Sequence, residues 1–121
     1  MRRKTDDRST KADYKKMNMN ESEIRDNVIE VIKTIFDPEL PVNILDLGLI
    51  YKVEVNEGGN VFVLMTLTAP GCPAAQSLPL EVDEKVRQVE GVSDVLVTLT
   101  WEPAWDKSRM SEAAQLELGF L

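Results

Sequence analysis

A single thiol, Cys72, stands in the run Thr68-Ala69-Pro70-Gly71-Cys72-Pro73. It falls just ahead of a helical pattern, at about the N-cap. Unpaired backbone N–H groups and the positive end of the helix dipole favour a thiolate there. Gly71 lets a ligand or partner approach the backbone beside it, and Pro70 and Pro73 stiffen the approach. Thr66 and Thr68 close an alternating strand, and the period of two places both hydroxyls on one face near the sulfur. Asp46, within Leu45-Asp46-Leu47-Gly48-Leu49, reaches the same region if the two loops meet. A lone cysteine is also commonly a small buried hydrophobe, and spacing leaves both readings open. One thiolate cannot fill a cluster's usual four positions. A metal or cluster on Cys72 therefore calls for a second chain, a small thiol or oxygen ligands.

What is missing narrows the chemistry. The 121 residues include one cysteine and no histidine. An internal disulfide framework is excluded. So are a Ser-His-Asp triad, a Cys-His pair and a His-rich zinc site within one chain. A Cys72 nucleophile would need a low pKa and an unusual base. No base or oxyanion set is visible beyond the helix start, so an enzyme is not expected. No apolar run approaches the ~18 residues needed to cross a bilayer, and the basic N-terminus has no apolar stretch behind it. A cytoplasmic protein without a membrane partner is expected.

The net charge of −7 is unevenly spread. Residues 1–20 carry seven Lys/Arg and three Asp/Glu; residues 21–121 carry seven and eighteen. The acidic part should repel nucleic-acid phosphates, so no nucleic-acid partner is expected. The leader reads as a disordered basic segment over residues 1–20, able to touch an acidic partner or RNA. Met17 and Met19 offer a later start codon.

The elements that must position these residues follow from pattern. Helix 1 is expected from about Glu21 to Ile35. Asn20 and Glu23 have capping-box spacing, and Ser22 is a competing cap. Ile24, Val28, Val31, Ile32 and Ile35 form its buried stripe, and Asp37-Pro38 ends it. Two prolines stiffen the loop from Asp37 to Asn43. Strands at about Leu49–Val55 and Val61–Leu67, joined by a Gly-Gly turn, make an antiparallel hairpin. Helix 2 has its body at Leu80–Val89, with Leu80, Val82, Val86 and Val89 as core candidates; Pro79 kinks it or splits off a first turn. Strand 3 covers Val92–Leu99, parallel to strand 2 across the helix. Helix 3 spans about Lys107–Leu118. The expected fold is a two-layer α/β (α+β) single domain over residues 21–121. Its order is helix, two strands, helix, strand and C-terminal helix on a small mixed sheet. One face of so small a sheet is left partly bare, which invites a partner or a dimer.

Several residues have plain structural readings. Asp37 suits a turn and Asp46 a cap. Trp101 and Trp105 read as packing anchors, and Met110 as core filler.

Three motifs in one register resemble the iron–sulfur assembly protein family that includes SufT and the cytosolic cluster-targeting factors. They are Asp37-Pro38-Glu39-Leu40-Pro41-Val42-Asn43-Ile44-Leu45-Asp46-Leu47-Gly48-Leu49-Ile50-Tyr51, then Thr66-Leu67-Thr68 with Gly71-Cys72-Pro73, then Trp101-Glu102-Pro103-Ala104-Trp105 with Met110-Ser111 and Leu118-Gly119. The likeness covers about residues 22–121 and leaves the leader outside. It implies an accessory factor that matures iron–sulfur proteins by carrying, delivering or licensing clusters. Cys72 would be the functional thiol and metal ligand, with Asp46, Thr66 and Thr68 as its neighbours. Asp37 and Glu39 would belong to the signature loop. The cofactor stays open, a transient iron–sulfur cluster or iron being the candidate. The implied partners are the assembly machinery, client apoproteins and a second copy in a homodimer. The cysteine-rich C-terminal extension of the phenylacetate-pathway branch is not matched, nor is a phosphate loop of the fused carriers. A pure adaptor that carries no metal, binding through the signature loop and Trp105, is the alternative.

Overall fold

A computed structural model describes residues 20–69 and 74–120. Helix α1, Glu21–Ile32, starts on the expected capping box. Asn20 Oδ1 accepts from Glu23 N at 2.8 Å, and Asn20 N donates to Glu23 Oε1 at 3.2 Å. Ile24, Val28 and Ile32 fill its buried stripe. The helix ends earlier than the apolar spacing suggests. Lys33 is its C-cap, and Ile35 leaves the helix yet stays fully buried. A single bridge between Phe36 and Asn43 then closes a loop.

Strands β1 (Ile50–Asn56) and β2 (Asn60–Met65) pair antiparallel, and β3 (Asp94–Leu99) joins β2 in parallel, giving the order β1-β2-β3. The mixed sheet and the parallel pair match the expectation. The hairpin turn needs glycine at Gly59, where φ is 83° and an added Cβ would strike the Gly91 carbonyl. The inner face of the sheet carries Val53, Val61, Val63, Met65 and Val95, all buried. Helix α2 (Ala74–Arg87) crosses this face between β2 and β3 and packs on β3 and α1. Core, sheet and helices thus form the two expected layers.

Two helices differ from the sequence reading. α2 is one span that runs through Pro79, with no separate first turn. Its buried stripe is Leu78, Val82 and Val86, continued by Val89 beyond its end, while Leu80 is 61% exposed. The stripe steps by four from Leu78, which turns Leu80 about half a revolution away. The expected third helix is two pieces. A 3₁₀ turn at Lys107–Arg109 is followed by α3 at Glu112–Glu117. Between them Met110 is extended (φ −72°, ψ 148°) and buried, so its side chain is anchored in the core where one helix would have carried it past. Each piece has its own cap: Asp106 accepts from Ser108 N, and Ser111 Oγ from Ala114 N.

Two arginines reach from the helices to the sheet. Arg25 Nε donates to Val53 O at 3.1 Å, and Arg87 Nη2 to Val95 O at 3.2 Å. Arg87 also grips Asp83 and Asp94, which raises its pKa above the ordinary guanidinium value.

Candidate functional site

Polar side chains fold the signature loop back on itself. Asp37, 7% exposed, accepts from Glu39 N at 2.7 Å and from Leu40 N at 3.0 Å through the same oxygen. This is the turn role foreseen for it. Asn43 Oδ1 accepts from Asp46 N at 2.9 Å, and Asn43 Nδ2 donates to Asp46 Oδ2 at 2.8 Å. The two residues clamp one short turn from both sides. Ile44, Leu47 and Leu49 are fully buried beneath it, so the loop is packed down as tightly as a strand.

The C-terminal segment holds the same loop from outside. Trp105 Nε1 donates to Leu47 O at 2.7 Å, and Ser111 N donates to Asp46 O at 2.8 Å. The Arg109 carbonyl lies against Gly48, whose φ is 82°; any side chain there would run into it. The anchoring role expected of Trp105 is met, since its ring nitrogen ties the loop down. Trp101 is 40% exposed.

Asp46 faces a groove of about 260 Å³ between this loop and α3, shared with Phe36, Pro41, Ala113 and Glu117. Phe36 is 55% exposed at its lip. Among the described residues, neither Asp46 nor Glu117 has a Lys or Arg within 4 Å; the ion pairs engage Glu30, Glu54, Glu81, Asp83 and Asp94. Sequence reading missed the groove, because α3's register was not fixed by its short apolar pattern. The spacing of three between Asn43 and Asp46 was the available signal for the clamp.

A second, more open cleft of about 730 Å³ lies on the other side of Gly48, lined by Tyr51, Leu64, Glu102, Pro103, Ser108 and Arg109 among others. Arg109 lies over the Tyr51 ring at 4.8 Å, and Tyr51 donates its hydroxyl to Pro103 O at 2.8 Å. Asp106 beside it titrates below its ordinary value, chiefly because the Ser108 side chain and then its N–H bond the carboxylate.

The residues named from the sequence are placed as follows. Cys72, with Pro70, Gly71 and Pro73, lies outside the described residues, as do residues 1–19 of the leader; Asn20, expected as its last residue, is instead the N-cap of α1. Strand β2 ends at Met65, so Thr66 and Thr68 follow it and do not close it. The alternation that would have set both threonines on one face therefore stops short of them. Thr66 is fully buried and its N–H bonds Leu49 O at 2.8 Å; Thr68 is half-buried. That bond joins the end of the signature loop to the residue after β2. The Asp46 carboxylate itself is held by Asn43 and opens toward α3, and it makes no hydrogen bond to either threonine. Among the described residues no cluster of three His, Cys, Asp or Glu could hold a metal ion, and no helix is long and apolar enough to cross a membrane.

The chain thus folds as a small two-layer α/β domain whose sheet is preceded by a clamped loop. The model of the family described as iron-sulfur cluster assembly protein matches residues 25–99. The chain belongs to that family. A Porphyromonas gingivalis protein named as an Fe-S protein maturation auxiliary factor is 50% identical over 105 residues, 87% of this chain and all of that protein. The Bacillus subtilis auxiliary factor YitW is 36% identical over 99 residues, 82% of this chain and 97% of its own length. The crystal structure of a DUF59 domain from Bacillus anthracis superposes with a TM-score of 0.78 at 33% identity, covering 84% of this chain and 96% of that one.

Proposed function

We propose that this protein is a non-enzymatic accessory factor in iron–sulfur cluster assembly or delivery, and that Cys72 is its functional thiol. The observation that carries the proposal is the family match over residues 25–99, which spans Asp46, Thr66, Thr68 and Cys72 together. The names of full-length relatives support the same role. The chain offers one thiol, so a cluster or iron held through Cys72 needs further ligands from outside the chain. A second copy, a small thiol or a client protein would supply them.

The test is iron and sulfide analysis of protein purified without air, wild type beside Cys72→Ser. Wild type should retain iron and sulfide after reconstitution, and the variant should lose both. Equal, negligible loading of the two would end the carrier role. The adaptor reading would then be left, with clients and assembly proteins still captured by Cys72→Ser.

A further inference from the structure

We propose that the groove between the 36–46 loop and α3 is a docking site for a basic segment, and that its occupant is the chain's own residues 1–19. The groove sets two carboxylates, Asp46 and Glu117, in a concave surface beside the exposed ring of Phe36. Glu30, Glu81 and Asp83, on the helices, are by contrast already in ion pairs. This surface fits a Lys or Arg side chain, which an aromatic face and a carboxylate attract together. Pro41 and Ala113 give its stem apolar cover.

Charge and length select the occupant. Residues 1–19 hold seven Lys/Arg and three Asp/Glu, while the remainder of the chain carries seven and eighteen. The most basic segment of the chain is thus tethered to an acidic body. It joins that body at Asn20, the N-cap of α1. Phe36 lies just past the other end of α1, roughly 20–25 Å away at 1.5 Å per residue. Nineteen residues extend to at most about 65 Å, so the groove is well within reach. A tether of this length gives an effective concentration in the millimolar range, far above that of a free basic peptide at micromolar levels.

The test is paramagnetic relaxation in the full chain. A nitroxide is placed on Ser9→Cys in a Cys72→Ser background, where it is the only thiol. Loss of amide signal is expected at Phe36, Asp46, Ala113 and Glu117. It should disappear in about 1 M salt, where the Debye length is ~3 Å, and weaken with Glu117→Lys. A mixture of labelled chains with unlabelled, isotope-enriched chains should leave those amides unaffected. Losses centred elsewhere, or losses in the mixed sample, would overturn occupancy by the chain's own leader. A second measurement needs no label and keeps Cys72. Changing Arg2, Arg3, Lys4, Lys15 and Lys16 to Gln should shift the same four amides, and unmoved amides would count against the proposal.

Discussion

The signature loop and the outer face of the sheet reverse the usual roles of loop and strand. The loop has almost no regular structure, yet Ile44, Leu47 and Leu49 in it are fully buried. The sheet's outer face is regular, yet it turns Leu96 outward at 62% exposure, with Phe62 and Leu64 half-covered beside it. Loops usually lie on the surface because their backbone groups need partners. Here Asp37, Asn43, Trp105 and Ser111 satisfy or supply those partners, so the chain can be dry without being helical or extended. Stability should therefore follow the clamped loop and the inner face of the sheet, and not the apolar side chains of the outer face.

The largest expected effect sharpens that contrast directly. Leu47→Ala should cost about 2–5 kcal/mol, the range for a fully buried leucine. Leu96→Ala on the outer face should stay within about 0.5 kcal/mol. Urea unfolding of both variants measures the difference, and equal losses would break the comparison. Next, Gly48→Ala should cost about 2–4 kcal/mol, combining positive φ with a clash against the Arg109 carbonyl. Its unfolding midpoint, set against that of Gly119→Ala in open space, isolates the clash. Asp37→Ala leaves two N–H groups without their shared acceptor and should lose about 1–3 kcal/mol, with Asp37→Asn recovering most of it.

The smallest effect is that of pH. Asp94 titrates below its ordinary value of 3.8, first through the Arg87 hydrogen bond, and Asp106 does so through Ser108. A folded-state pKa that is lowered adds stability above the ordinary value and loses it as pH falls through the folded one. The urea midpoint should therefore decline below about pH 4, and slightly less so in Asp94→Asn. Both groups are exposed, so the decline is small. A midpoint that rises on acidification would contradict the assignment.

Much of the fold was legible because it rests on period and punctuation. The capping box at Asn20, the Gly-bearing hairpin and the parallel crossover all follow from local chemistry. The errors arose where two patterns competed. Leu78 and Leu80 both fit a helical stripe beside Pro79, and only packing on the sheet decides between them. Met110 looked like one more helical residue, but its burial breaks the segment into two capped pieces. At the candidate site, Asp37 was readable as a turn residue because its function is local. The groove at Asp46 was not, since its far wall is α3, more than sixty residues away in the chain. The pairing of Asp46 with Cys72 rests on the two loops meeting and on family resemblance, and Cys72 lies outside the described residues.

The contacts of Arg25 and Arg87 with Val53 and Val95 have a consequence for assembly. β1 and β3 are the two outermost strands, and each has one of its outward carbonyls already taken by a guanidinium. A foreign strand seeking to lengthen the ladder would have to displace a charged side chain at either border. Among the described residues, strand addition at Val53 or at Val95 is thus opposed by a charged side chain on each border of the sheet.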